Sequence, residues 1–186
     1  MKLKVYFSRG LTLIEILVVV AVVAVLQSIA VPAMADLINS SRNSAVLNTL
    51  YSSLIMARGD AILRNQRTVV CKSDTGDQCK SSGGWGQGWL VFRDSNNNAQ
   101  LDADEQVLVR QGPVPSSVHL TGNLPVSRYV SFTPRGSAAY VSGAFQAGTL
   151  TVCSPSTGEI QAKQIVISIA GRPRMVTTTL ESCPEI

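Results

Sequence analysis

The side chains best suited to binding an anion are two arginines behind a glycine, in Gly171-Arg172-Pro173-Arg174. The planar guanidinium binds phosphate oxygens in a bidentate way, and phosphate contacts give affinity without base preference. Flanking runs rich in Val, Ile and Thr predict a hairpin whose tight turn holds the motif. The motif is therefore either a phosphate clamp or a turn with solvated arginines. Three further cations are candidate contributors whose faces the sequence leaves open: Arg128, Arg135 and Lys163.

The second candidate is Glu15, the one charged side chain in residues 11–35. That apolar run is long enough to cross a bilayer core, which takes about 20 residues. A carboxylate at the edge of an apolar helix is costly and therefore a functional candidate. The alternative is an interfacial glutamate that reaches water. Lys2, Lys4 and Arg9 precede the run and predict a cytoplasmic leader, with the rest of the chain facing outward.

The chain has four cysteines, Cys71, Cys79, Cys153 and Cys183. In an exported domain an even number predicts two disulfides, and neither C-x-x-C pairs nor a histidine cluster points to a metal site. Four cysteines allow three pairings. We favour Cys71 with Cys79, closing a short polar loop, and Cys153 with Cys183, pinning the C-terminal tail to an earlier strand.

Segment 94–105 has oxygen side chains at alternating positions, as calcium loops do, and ends at Glu105. Ala99 replaces the glycine of such loops, and a polar hairpin loop explains the residues equally well, so no metal or other cofactor is predicted. His119, the one histidine, lies in a strand-like run without a nucleophile motif. The sequence also has no glycine-rich phosphate loop and no paired carboxylates in an apolar setting. We do not expect an enzyme.

The length leaves room for one folded domain beyond the membrane segment. We divide the chain into a leader (1–10), the membrane half of a helix (11–35) and a globular domain (36–186). The globular domain comprises an amphipathic helix (36–66) and a β domain (67–186). The formal net charge is +4, and removing the three positive charges of the leader leaves +1. The overall charge therefore gives no argument for nucleic acid.

The helical pattern continues beyond the apolar run. Pro32 removes a backbone donor there and predicts a kink over residues 29–33. After residue 36 the pattern is amphipathic, with polar residues such as Asn43 and Arg64 off its apolar stripe. We expect the helix to end near Asn65 and to pack this stripe against a sheet. The stripe comprises Leu47, Leu50, Leu54, Ala57 and Ala61.

After Asn65, short runs rich in β-branched and aromatic residues alternate with Gly, Pro, Ser and Asn. No further helical pattern of useful length follows, so we predict an α+β fold with a long N-terminal helix on antiparallel sheet. The predicted strands are 68–72, 88–93, 106–110, 118–121, 129–132, 139–141, 149–153, 164–169 and 174–178.

Two motifs resemble those of type IV pilins and type II secretion pseudopilins. Arg9-Gly10-Leu11-Thr12-Leu13-Ile14-Glu15 is similar to their prepilin signal, with Leu11 where the family usually has Phe. Gly84-Trp85-Gly86-Gln87-Gly88-Trp89-Leu90-Val91-Phe92-Arg93-Asp94 resembles a segment of the GspH/FimT group of minor pilins, as does Cys71-Lys72-Ser73-Asp74. We expect the tryptophans to pack in the core, with base stacking as the alternative.

The resemblance implies a type IV pilin-like fold and a minor pilin. It implies a single-pass inner-membrane prepilin with a periplasmic domain, which is later incorporated near the tip of an extracellular pilus. Prepilin peptidase would cut after Gly10 and the new N-terminus, Leu11, would be N-methylated. Glu15 would then neutralise the N-terminal amine of a neighbouring major or minor pilin, so that neither charge is left uncompensated.

The glycine-arginine turn resembles the G-R-x-R motif of FimT-type pilins. That resemblance implies that Arg172 and Arg174 bind incoming double-stranded DNA, without sequence preference, during natural transformation. Related pilins that do not bind DNA also have a glycine-arginine turn here. The alternative function is therefore an H-type minor pseudopilin of the type II secretion system without DNA binding.

Overall fold

The computed structural model describes residues 12–156 and 158–184. These divide into two compact units, one ending at Ile38 and the other beginning at Asn39. Helix α1 comprises Leu13–Arg64, and Thr12 caps its start by accepting the Glu15 N–H at Oγ1 (3.3 Å). The helical assignment continues through Pro32, and the kink expected there stays a prediction.

The first unit consists of apolar helix. Its stretch Leu13–Val31 has 19 residues with a mean hydropathy of 2.7, and none of it is buried in the described structure. A helix that is apolar on all sides is stable only where lipid or other protein covers it. This stretch is long and apolar enough to cross a membrane.

The second unit contains the C-terminal half of α1 and two four-stranded antiparallel sheets. The first sheet has the order β3-β2-β1-β5 and the second β4-β6-β7-β8. This is the predicted α+β arrangement. The strands are β1 Arg67–Lys72, β2 Trp89–Asp94, β3 Val107–Gln111, β4 His119–Gly122, β5 Tyr129–Phe132, β6 Gly148–Cys153, β7 Ile160–Ile167 and β8 Pro173–Leu180.

The predicted apolar stripe of α1 lies in the core, where all five of its residues are buried. It packs against side chains of both sheets, among them Phe132 of β5 and Ile165 of β7. Trp85 and Trp89 belong to the same core. The Trp85 indole donates to the Val126 carbonyl (2.9 Å) and the Trp89 indole to Ser53 Oγ (3.0 Å). The prediction that these tryptophans pack, and are not free to stack on bases, is confirmed.

The end of α1 follows from the conformation of Asn65, whose φ is +53°. The Gln66 N–H donates to the Ala61 carbonyl (3.2 Å) and the Asn65 N–H to the Ile62 carbonyl (3.4 Å). These are the two bonds of a Schellman motif, which satisfies carbonyls that the helix itself leaves free. The helix therefore ends where the sequence predicted.

Two expectations about the second unit are wrong. Asn43, expected off the apolar stripe of α1, is buried because it lies four residues before Leu47 on the same face, and Ser154 Oγ donates to its Oδ1 (3.0 Å) there. Residues 139–141 do not form a strand. The segment makes only the isolated bridges Phe132–Ala138 and Ala139–Phe145, because the buried side chain of Gln146 takes the Ser131 N–H of β5 that a further strand would have paired.

Both disulfides have the favoured pairing. Cys71 is bonded to Cys79, eight residues on, with their Cα atoms 5.6 Å apart. Cys153 is bonded to Cys183, 30 residues on, with a Cα separation of 6.0 Å. The second bond attaches the tail that follows β8 to the end of β6, and crosslinks of this kind stabilise mainly by restricting the unfolded chain.

Candidate functional site

The Gly171-Arg172-Pro173-Arg174 motif forms the turn between β7 and β8 and the start of β8. The Gly171 N–H donates to the Ser168 carbonyl (2.8 Å) and the Ser168 N–H to the Arg172 carbonyl (3.3 Å). Ser168 Oγ accepts the Arg172 N–H (3.3 Å). Gly171 has a φ of +71°, which residues with a Cβ adopt only at a cost. Hydrogen bonds within the turn therefore hold its backbone, and none of them uses an arginine side chain.

A second turn, Thr133–Ser137, lies against the first. A Cβ on Gly171 would lie 2.1 Å from the carbonyl oxygen of Gly136. The same oxygen accepts the Arg58 Nε–H of α1 (2.9 Å). Arg135 precedes Gly136, so this contact places Arg135 and Arg172 on adjoining turns. The sequence named both arginines but could not show that their turns touch.

The guanidinium groups of Arg135, Arg172 and Arg174 are exposed. Within the described residues none of the three takes part in a side-chain hydrogen bond, and the ion pairs there are Lys80–Asp74 and Arg93–Asp60. Surface arginines without a carboxylate partner keep all their donors for an external anion. This edge of the domain can therefore bind phosphate without first breaking an internal contact.

Lys163 lies apart from this edge. It pairs with Thr177 across the β7–β8 ladder, whereas Arg174 pairs with Val166. Ile165 and Ile167 face the helix-side core, and alternation puts Lys163 on that face and Arg174 on the other. Consistently, Lys163 Nζ donates to Ser44 Oγ of α1. The structure does not bring Lys163 together with the motif.

Arg128 also lies elsewhere. It precedes β5 and lines a small cavity beside the Cys71–Cys79 disulfide, whereas Arg135 follows the other end of the same strand. Its charge adds to burial in lowering the pKa of Lys72, with burial the larger cause. Its local effect is therefore on the disulfide loop and not on the arginine turns.

Glu15 lies in the first turn of α1 with an exposed side chain. Its backbone N–H is held by Thr12, as described above, and its carboxylate is in no ion pair within the described residues. A carboxylate at a helix N-terminus is favoured by the helix dipole. Gly10 and Leu11, the residues of the predicted cleavage, lie outside the described residues.

The acidic loop of segment 94–105 is closed by its own hydrogen bonds. The buried carboxylate of Asp94 accepts the N–H groups of Asn98 (3.0 Å) and Ala99 (2.9 Å). The amides of Asn96 and Asn98 both donate to Asp102 Oδ2 (2.8 Å each). This is the geometry of the polar hairpin loop that the sequence allowed.

These features define a class of protein, in which an apolar N-terminal helix with a single charge near its start leads into a globular domain of a helix on antiparallel sheets. The family described as Type II transport protein GspH matches residues 46–171. The chain belongs to this family of type IV minor pilins and pseudopilins. These are structural proteins, so the chain is not an enzyme.

Individual relatives agree with this assignment. The chain is 30% identical to the pilin-like protein PilA1 of Thermus thermophilus over 178 residues, which cover 90% of this chain and 97% of the relative. It is also similar to the type IV minor pilin FimU of Pseudomonas aeruginosa, with a TM-score of 0.52, 17% identity and coverage of 82% of this chain and 100% of FimU. A second crystal form of FimU gives a TM-score of 0.51 at 17% identity, covering 76% of this chain and 99% of that one. At this identity the likeness to FimU shows the fold.

Proposed function

We propose that this chain is a minor pilin of a type IV pilus, needed for pilus assembly and located near the tip. The observation that carries the proposal is the unburied apolar stretch Leu13–Val31 with Glu15 as its one charge. Prepilin peptidase removes residues 1–10, and the helix leaves the inner membrane to pack among the helices of other pilins. Glu15 then pairs with the N-terminal amine of a neighbouring subunit, at Leu11.

The test replaces Glu15 and follows both processing and assembly. Glu15→Leu is expected to be cut after Gly10 normally but to be absent from sheared pili, because a desolvated amine is left without its counter-charge. Glu15→Asp, which keeps the charge, is the matched control and should enter pili at least in part. Mass spectrometry of the exported form should find an N-methylated Leu11. A chain that begins downstream of Ala30 would have lost the helix and would refute the proposal.

The alternative is a minor pseudopilin of a type II secretion system, which the description of the matching family supports. Both functions use the same fold and the same apolar helix, so partners distinguish them. A pull-down from crosslinked membranes should recover other pilins if the chain works in a pilus. Recovery of secretion-system pseudopilins in their place would favour the alternative.

We also propose that the domain binds double-stranded DNA for uptake through Arg172 and Arg174, with Arg135 as a neighbour. Three observations support this: the arginines are exposed, none is paired within the described residues, and the Gly136–Gly171 contact gathers two of them on adjoining turns. Phosphate binding by such groups is independent of base sequence and depends strongly on salt.

A titration of duplex DNA onto the detergent-solubilised full chain tests the clamp at several salt concentrations. Each arginine on a phosphate adds about 0.9 to the slope of log K against log salt, so Arg172→Gln with Arg174→Gln should lower the slope by about 2. Arg128→Gln, at the opposite end of β5 from Arg135, is the matched control and should leave the slope unchanged. Binding that ignores salt, or that survives the double change intact, would count against the clamp.

A further inference from the structure

A groove beside the arginine turns combines positive charge with an exposed aromatic ring. Its volume is about 560 Å³, within the range of roughly 300–1,000 Å³ that small-ligand sites have. Its lining residues come from the end of α1, the start of β1 and the chain on either side of residue 140. They include Asn65, Arg67, Thr133, Arg135 and Phe145, and none of the residues that line it is acidic.

Phe145 is 70% exposed, although its neighbours are fixed. The side chain of Gln146 accepts the Ser131 N–H (2.9 Å) and donates to the Tyr129 carbonyl (2.7 Å). The Tyr140 N–H donates to the Ala144 carbonyl (2.8 Å). Because successive residues of an extended chain point to opposite sides, burial of Gln146 turns Phe145 outward. The ring is thus presented at the surface from an ordered backbone, and little entropy is lost when a ligand stacks on it.

Arg67 contributes a positive charge that takes part in no ion pair within the described residues, although the buried Asp94 is its register partner on β2. Arg67 is 9% exposed, and its partners are Asn97 Oδ1 (3.0 Å), the Ala139 carbonyl (2.8 Å) and Ser131 Oγ, all of them neutral. The Asp94 carboxylate accepts the N–H groups of Asn98 and Ala99 and not the guanidinium, so an anion in the groove is still attracted by Arg67. The exposed guanidinium of Arg135 lines the same groove. The site therefore favours a ligand that carries negative charge.

We propose that this groove binds one unpaired nucleotide of single-stranded DNA, with the base stacked on Phe145 and the phosphate facing Arg67 and Arg135. A nucleotide offers both an aromatic face and an anion, and its base is free to stack on protein only where the strand is unpaired. The single strand of DNA then continues from Arg135 to Arg172, over the contact between Gly136 and Gly171. This inference rests on the DNA binding proposed above and specifies which form of DNA the site takes.

The test uses the full chain in non-ionic detergent, with a fluorescent 20-mer of deoxythymidine and a duplex of the same length as probes. Phe145→Ala should weaken binding of the single strand roughly 5- to 150-fold, the range that stacking of one base on an aromatic ring gives. It should leave duplex binding within about twofold, because duplex contacts go to phosphates. Phe145→Trp should restore single-strand binding, and the fluorescence of the new tryptophan should be quenched when the single strand binds. Leu124→Ala, which removes another exposed apolar side chain (90% exposed), is the control and should change neither.

Each other outcome overturns the inference in a distinguishable way. If the duplex binds through Arg172 and Arg174 but Phe145→Ala leaves single-strand binding unchanged, the groove is not a nucleotide site and the DNA clamp stands. If Phe145→Ala weakens both probes equally, the ring does not select unpaired bases. If neither probe binds the wild type, the groove and the clamp fail together. If Phe145→Ala abolishes binding to pilin partners and leaves DNA binding intact, the ring is a contact to protein and not to DNA.

Discussion

A Cβ on Gly171 would lie 2.1 Å from the carbonyl oxygen of Gly136, so the turns that carry Arg172 and Arg135 touch through their glycines. The same oxygen holds the Arg58 side chain. This oxygen therefore contacts the turn that carries Arg172, belongs to the turn that carries Arg135 and accepts a bond from Arg58 of α1. The DNA binding proposed for this edge therefore depends on a contact between two glycines that bind no ligand themselves.

Gly171→Ala should disrupt this contact between the two turns. The new methyl group would displace the Gly136 turn, and alanine at a φ of +71° is strained as well. We expect the free energy of unfolding to fall by about 2 kcal/mol or more, combining left-handed strain with a steric clash. Denaturant unfolding followed by the fluorescence of the buried tryptophans measures it, and duplex DNA affinity should fall in parallel.

Gly143→Ala is the matched control for that substitution. Gly143 also has a positive φ, +85°, but nothing lies within 4 Å of a Cβ there. Its substitution carries the strain without the clash and should cost only about 1 kcal/mol. Equal losses at Gly143 and Gly171 would show that the contact with Gly136 is unimportant.

The ion pair between Asp60 of α1 and Arg93 of β2 should make stability depend on pH. Arg93 Nη2 lies 2.7 Å from Asp60 Oδ1 and its Nε 2.9 Å from Oδ2. The Arg93 hydrogen bond is the main reason that the pKa of Asp60 lies below its ordinary value. A lowered folded-state pKa means that the pair stabilises the fold above the unfolded pKa, and that this is lost as pH falls through the folded pKa.

Asp60→Asn isolates this effect. Near neutral pH it should lower the free energy of unfolding by about 2 kcal/mol, because Arg93 loses a charge-assisted partner. Below pH 4 the difference from wild type should shrink, since the wild-type carboxyl becomes protonated too. Stability measured from pH 7 to pH 3 checks this, and a constant difference across that window would contradict it.

Gly59→Ala should stabilise the domain. Gly59 lies inside α1, and a Cβ there would meet nothing within 4 Å. Glycine in a helix interior costs about 0.5–1 kcal/mol relative to alanine through the entropy of the unfolded chain. The midpoint of denaturant unfolding should rise with an unchanged slope. A lower midpoint would contradict this prediction and would mean that this face of α1 contacts another molecule in the sample.

Local sequence pattern predicted the parts of the fold that depend on local physics. The stripe from Leu47 to Ala61 has helical period, and Tyr129–Phe132 is a strand at the predicted bounds because β-branched and aromatic residues pack well on a pleated surface. The Cys71–Cys79 pair followed from the shortness of the loop that it closes. In each case the signal lay within a few residues of the feature.

The failures involve side-chain hydrogen bonds that the local pattern does not reveal. Asn43 looks solvent-facing by its polar side chain, although its position four residues before Leu47 puts it on the buried face, where Ser154, 111 residues away, satisfies it. Residues 139–141 look like a strand, but only the Ala139 N–H reaches the Ser131 carbonyl of β5 (3.1 Å), and the Gln146 side chain takes the Ser131 N–H. The contact of Gly136 with Gly171, the burial of Arg67 among neutral partners and the outward turn of Phe145 likewise follow from tertiary packing. Nothing local to residues 134–136 signalled that their turn lies against the turn between β7 and β8.

Loss of Gln146 should affect the groove although its side chain would touch no ligand. Gln146 is fully buried, and besides its bonds to Ser131 and Tyr129 its Nε2 donates to the Pro125 carbonyl (3.0 Å). Gln146→Leu keeps a similar size but leaves these backbone groups without partners, at about 1–3 kcal/mol for a buried donor or acceptor. Unfolding should therefore become easier by that amount. Hydrogen exchange at the Ser131 amide should also speed up, and single-strand DNA affinity should fall although Phe145 is intact.

Gln146→Glu, which keeps the acceptor for Ser131 but loses the donor, should protect that amide better than Gln146→Leu does. Equal exchange in the two variants would show that the Gln146 acceptor does not hold β5 in place.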